Sequence, residues 1–133
     1  MRELKLRIDT TTANAVRELL KSEAESRIYL YLLKKNGAKS DDITKGTKLH
    51  PSTVRELLSK MHAHHLIHRE KLKNDNIGKH PYLYYAAPPR HLLRQYITEI
   101  EHKLTKIANL DTPNSTNNTR VHITIHDTDE EDA

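Results

Sequence analysis

Residues 50–70 read HPSTVRELLSKMHAHHLIHRE. The stretch carries a proline in second place, then apolar residues, then histidines and a basic segment. Proline is best tolerated at the first position of a helix, where its missing N–H would have had no partner. From Pro51 onward, Val54, Leu57, Leu58 and Met61 fall at i, i+3, i+4 and i+7, so one face of the predicted helix packs. Ser52, Thr53, Arg55, Glu56 and Ser59 are left on the other face, outside.

Upstream, Ser40 offers a cap to a short helix running to about Thr47, and Asp41 and Asp42 fall in its first turn, where the helix dipole favours acids. Further back, Ser22 with Glu25 three residues on forms a capping-box pattern opening a helix to Lys35, which Gly37 ends. That helix is apolar at Ala24, Ile28, Tyr31 and Leu32, but also at Tyr29, Leu30 and Leu33, so two partners must cover it. One is its own core; the other is a second subunit or a long helix from elsewhere in the chain. At the start, Leu4, Leu6 and Ile8 alternate with charged residues as in an edge strand, and Thr11 and Thr12 are cap candidates for a helix from about Ala13 to Leu20.

Downstream, LIHREKL alternates apolar with basic, a polar turn-rich loop follows, and YLYYA has the aromatic bias of a strand. Together they predict a hairpin with a basic tip. Pro88 and Pro89 introduce a helix to about Leu110, in which Leu93, Ile97, Ile100, Leu104 and Ile107 repeat at steps of four and three. Such a seam wants a partner helix, and over two heptads docking along its own domain competes with self-association. After the polar linker DTPNSTNNT, Val121, Ile123 and Ile125 alternate in a strand pattern that could pair with residues 3–9, and the chain ends DTDEEDA. Asn114 and Asn117 match a glycosylation pattern by chance in a polar linker.

Composition narrows the function classes. The 133 residues suit one modest domain, and with no cysteine there is no disulfide, thiolate metal site or cysteine nucleophile. Without phenylalanine or tryptophan, the core rests on aliphatics and six tyrosines, in a size range where association often completes burial. The N-terminus lacks the apolar core of a signal peptide, and no stretch nears the roughly 18 apolar residues of a membrane span, which predicts a cytoplasmic, nucleoid-associated protein. No glycine-rich phosphate loop, nucleophile motif or carboxylate pair suggests an enzyme, and no cofactor is expected. The net charge of +4 hides an asymmetry: residues 1–110 hold 21 Lys+Arg against 12 Asp+Glu, or +9, and residues 111–133 hold one arginine against six acids, or -5. The basic body suits a polyanion; a plain solvated surface is the competing reading.

Helix, short helix, turn, longer helix and basic hairpin is the order of a winged helix-turn-helix, an α+β fold, mainly α with a small β-hairpin. Its second long helix fits a DNA major groove, and Ser52, Thr53, Arg55, Glu56 and Ser59 are the candidates for base edges. Arg55 suits bidentate contact to guanine; a phosphate contact, or a surface ion pair with Glu56 or with the neighbours of Ser59, competes. Ser40, Lys45 and Lys48 are candidates for phosphates, and Arg69, Lys71, Lys73, Lys79 and His80 for the backbone or an adjacent minor groove through the wing. His62, His64, His65 and His68 raise metal binding, but no acidic or thiolate ligand stands near. Solvent-facing residues supporting the helix dipole when protonated, or phosphate contacts, are the other readings.

The chain resembles the archaeal winged-helix regulators of the TrmB-like and Lrs14-like types over about residues 20–107. The likeness rests on SEAESRIYLYLLKKNG, on DDITKGTKLHPSTVRELLSKMHAHHLIHRE and on YLYYAAPPRHLL, in that order. It implies a homodimeric regulator of double-stranded DNA whose last helix meets the opening helix of its partner, through Tyr29, Leu33, Leu93, Ile97, Ile100, Leu104 and Ile107. Along the whole chain the patterns predict four segments: a strand and short helix over 1–21, the winged helix over 22–87, the dimerisation helix over 88–110, and a polar linker, possible strand and acidic tail over 111–133. Where such proteins commonly have glycine between recognition helix and strand, this chain has His65, which needs positive φ at some cost. No stretch of this sequence is long enough to be the sugar-binding domain of full TrmB-like proteins, so a sugar effector is not expected and the small-molecule effector is unknown. A winged helix used as a protein-interaction module, with no specific readout, is the rival function.

Overall fold

The computed structural model describes residues 6–72, 82–112 and 118–128. They form α1 (Thr10–Leu20), α2 (Glu23–Lys35), α3 (Ser40–Thr47), α4 (Pro51–Ala63), β1 (Ile67–Lys71), β2 (Tyr82–Ala86) and α5 (Pro89–Ala108). The chain divides into two compact units at Pro88 and Pro89.

In the first unit, α2 is the central element, packing on α1, α3, α4 and β2. Ile28, Tyr29 and Leu32 of α2 close the core with Ile43 of α3, Val54, Leu58 and Met61 of α4, and Ile67 of β1. The predicted stripe of α4 is therefore buried as spaced, except that Leu57 is only half-buried. Within the same unit α1 also packs on the apolar α2, and Leu30, Tyr31 and Leu33 stay half-buried. Ser22 caps α2 through its hydroxyl, which accepts from Glu25 N–H at 3.1 Å. The buried Glu25 carboxylate turns instead to Lys60 of α4, 3.4 Å away, tying α2 to α4.

Three local expectations are corrected. Asp9, not Thr11 or Thr12, caps α1: its carboxylate accepts from Thr12 N–H at 2.7 Å, and that bond holds its pKa below the ordinary value. Lys39 stands at the cap of α3 with no side-chain bond, and Ser40 is the first helical residue. Residues 6–9 form no strand, and residues 1–5 of the proposed edge lie outside the described residues.

α4 ends in a six-residue closure built on His65. Its φ is +62°, its N–H reaches His62 O at 3.1 Å, and Leu66 N–H reaches Met61 O at 2.9 Å. This pairing of bonds satisfies the last carbonyls of a helix and is normally made around glycine, since a side chain in this region costs about 1–2 kcal/mol. His65→Gly is accordingly expected to stabilise the fold by about 1 kcal/mol, after the loss to backbone entropy, as read by urea denaturation; a destabilised variant would contradict this.

β1 and β2 pair antiparallel from Ile67↔Ala86 to Lys71↔Tyr82. A third segment is bridged to β2 at Ala38, whose N–H and C=O both bond Tyr84, at 3.0 and 2.9 Å. Gly37, at φ +110°, lets this segment approach: a Cβ there would stand 2.6 Å from the Tyr85 ring. Tyr29 donates its buried hydroxyl to Ala87 O at 2.6 Å, and burial pushes its pKa up to about 12.

In the second unit, α5 ends at Ala108, two residues short of the expected Leu110. Residues 118–128 contain no strand. The alternating segment runs along α5 instead, with Val121 N–H donating to Thr105 Oγ1 at 3.0 Å and Ile123 N–H to Glu101 Oε2 at 2.8 Å. Alternation marked an extended segment, but the partner is a helix face, which that pattern cannot reveal.

Candidate nucleic-acid interface

The N-terminus of α4 is made by His50, the residue before Pro51. Its Nδ1 accepts from Ser52 N–H at 3.3 Å and lies 2.8 Å from Ser52 Oγ. Histidine is not among the usual caps, so pattern reading passed over it, although Pro51 at the first helical position fixes the capping place. The consequence for the candidate face is direct: the Ser52 hydroxyl is already engaged. Thr53 is half-buried, while Arg55, Glu56 and Ser59 are exposed. Among the described residues no hydrogen bond or ion pair holds Arg55 or Glu56, so the Arg55–Glu56 ion pair considered above is not formed. Lys60, on the same exposed side but unforeseen, is held by Glu25.

α4 packs on α3 and β1, which carry the basic candidates. Lys45 is exposed in the last turn of α3. Lys48 is its left-handed C-cap at φ +60°, two residues before His50, so its side chain starts beside the entry to α4. Ser40 is half-buried, with its carbonyl accepting the Thr44 hydroxyl at 3.0 Å. On β1, Arg69 and Lys71 are exposed and share a face with Tyr84 and Tyr82, their cross-strand partners. The Arg69 guanidinium lies 4.5 Å from the Tyr82 ring centre, a contact that orders the side chain without neutralising it. Lys73, Lys79 and His80 lie outside the described residues.

His62, His65 and His68 have separate surroundings. His68 stacks on Tyr85, centroids 5.1 Å apart and planes 14° from parallel. His65 forms the helix closure. His62 is half-buried; desolvation, then the charges of Arg69 and His65, hold its pKa below the ordinary 6.5, which disfavours the protonated ring that would support the dipole. No group of three or more potential metal ligands occurs among the described residues.

Of the residues expected at a subunit contact, Tyr29 is misplaced. It is 1% exposed and bonded to Ala87 within its own unit, so it has no surface to offer a partner. Leu33 is half-buried. Along α5, Leu93, Leu104 and Ile107 are exposed, Ile107 at 61%, and Ile97 and Ile100 are half-buried.

The family model for the sugar-specific transcriptional regulator TrmB matches residues 22–90, just over half of the chain. The chain belongs to the TrmB family. It is a DNA-binding transcriptional regulator, and the matched span holds α2 to β2, the winged helix-turn-helix just described. Among solved structures, a possible transcriptional regulator from Methanosarcina mazei Go1 is 18% identical, with 82% of this chain and all of that one covered and a TM-score of 0.60. That likeness shares the fold. A MarR-family regulator from Silicibacter pomeroyi, 19% identical over 76% of this TrmB-family chain and 69% of its own, reaches a TM-score of 0.47. Bordetella bronchiseptica BpsR, 15% identical over 74% and 78%, also reaches 0.47. These last two are too distant to carry any argument. No curated protein matches the chain. Among the described residues, no helix is long and apolar enough to cross a membrane.

Proposed function

We propose that this regulator reads a specific double-stranded DNA sequence as a homodimer, with α4 in the major groove. The observation that carries this reading is the division of α4 into a buried stripe, Val54, Leu58 and Met61, and an exposed face with Arg55, Glu56 and Ser59. A groove about 12 Å wide admits one helix, and a guanidinium there can bond guanine O6 and N7 together. Ser52 acts chiefly as part of the helix cap and touches DNA secondarily. Lys45, Lys48, Arg69 and Lys71 hold phosphates, giving salt-sensitive affinity with little sequence information. Lys73, Lys79 and His80, which the sequence assigns to the same role, add to that contact. The apolar seam of α5 seats a second copy, and the dimer spaces two α4 helices by about one turn of DNA, roughly 34 Å. Such a protein works where the chromosome is, in the cytoplasm at the nucleoid, by binding rather than by catalysis.

Selection of bound genomic fragments tests the reading. One pseudo-palindrome with half-sites about 10 base pairs apart is the expected result. If no fragment is enriched over random DNA, the winged helix serves as a protein-interaction module and the proposal fails. Within that system, Lys48→Ala is expected to weaken selected and random DNA alike and to lower the salt slope by about one unit. A loss confined to the selected site would instead make Lys48 a base reader.

A further inference from the structure

The segment 118–128 is seated on α5 by a regular ladder. Glu101, Thr105 and Asn109 stand four residues apart along the helix, and Ile123, Val121 and Thr119 stand two apart along the segment, running the opposite way. Four helical residues advance about 6 Å and two extended residues about 6.7 Å, so the two repeats stay in step. Asn109 grips Thr119 at both ends, Nδ2 to the carbonyl and Oδ1 from the N–H, each at 2.8 Å. Thr105 and Glu101 then take the next two inward N–H groups, and Arg90 pairs with Asp127 beyond. Main-chain groups of an extended segment are thus satisfied by helix side chains.

The ladder occupies a stripe beside the 4-3 seam of α5, not the seam itself, and the two meet at Ile97. Ile97, Ile123 and Ile125 line one shallow hollow of about 340 Å³, shared with polar and charged side chains that include Arg90, Arg94 and Glu101. Six of the seven exposed large apolar side chains among the described residues lie in this unit: Leu93, Leu104, Ile107, Leu110, Ile123 and Ile125. The chain's own tail therefore leaves the seam open and adds to its width. A seam of alternating four and three steps is matched by an identical helix, so a second copy of this chain is the occupant that requires no other surface to be built.

We infer that residues 118–128 form a strap that completes the self-association face of α5, Ile123 and Ile125 flanking the seam against which the second copy packs. The inference rests on the homodimer reading above. Sedimentation equilibrium of the full chain tests both, with circular dichroism to verify helix content. Ile107→Ser in the seam is expected to weaken the dimer, and Ile123→Ser with Ile125→Ser to raise its Kd by about tenfold, from the loss of two exposed side chains that the dimer buries in part. Thr105→Val keeps every apolar side chain and removes only the acceptor for Val121 N–H; it is expected to raise the Kd several-fold, by about one hydrogen bond. A dimer sensitive to Ile107→Ser but indifferent to both strap variants overturns the inference and leaves the dimer standing. A wild-type chain that remains monomeric at all concentrations overturns both.

Discussion

Replacing Arg55 with alanine is expected to weaken binding to the selected site roughly 5- to 150-fold, the equivalent of about 1–3 kcal/mol for a bidentate contact to guanine. Random DNA should lose distinctly less, since a lone phosphate contact is shared by all sequences. The expectation follows from placement: Arg55 is exposed on α4, one residue past the buried Val54, and among the described residues no hydrogen bond or ion pair engages its five donors. Quantitative gel shifts at one stated salt concentration on both DNAs decide the matter. Equal losses would make Arg55 a phosphate ligand, and no loss would remove it from the interface. Arg55→Lys sharpens the test, because lysine keeps the charge and loses the fork; its affinity for the selected site should stay well below wild type.

Leu58→Ala is expected to cost about 2–5 kcal/mol of folding stability, a large share of the roughly 5–15 kcal/mol available to a domain of this size. Leu58 is 2% exposed and belongs to the stripe that fastens α4 to the rest of the winged helix. Removing its isobutyl group sacrifices burial and opens a cavity where several elements converge. Leu58→Met, which nearly conserves volume, should cost less than about 1.5 kcal/mol. Denaturant unfolding followed by circular dichroism reads both. If the alanine variant unfolds like wild type, α4 is held by something other than its stripe. The two substitutions also separate the helix's roles, for Arg55→Ala should leave unfolding nearly unchanged.

What was legible in the sequence is what short-range rules govern. The Ser22 cap, Pro51 at a helix start, and the spacing of Val54, Leu58 and Met61 each depend on residues within a turn or two, and each is found where the pattern places it, whereas the Glu25 half of the capping box is not, its carboxylate going to Lys60. His65 in the left-handed region belongs to the same class, a position whose geometry is demanded by the helix it follows. The order of elements then brought the winged helix into view. Long-range contacts were not legible. Tyr29 looked like an interface residue because its face of α2 was apolar; its hydroxyl is taken by Ala87, 58 residues away. Val121, Ile123 and Ile125 have the period of a strand, and the period reports an extended backbone without naming what receives its N–H groups. At the candidate interface, His50 and Lys60 were missed for opposite reasons, one an uncommon cap and the other bound to a carboxylate from α2.

The central claim is that the exposed face of α4 lies in a groove of the DNA. The chain has no cysteine, so Ser59→Cys provides a unique handle for a tethered DNA-cleaving reagent, with Glu18→Cys on α1 as the reference. On the selected duplex, the probe at position 59 is predicted to cut at two places about 10 base pairs apart, and the probe at position 18 is not. Bound DNA left intact by the probe on α4 would contradict the account.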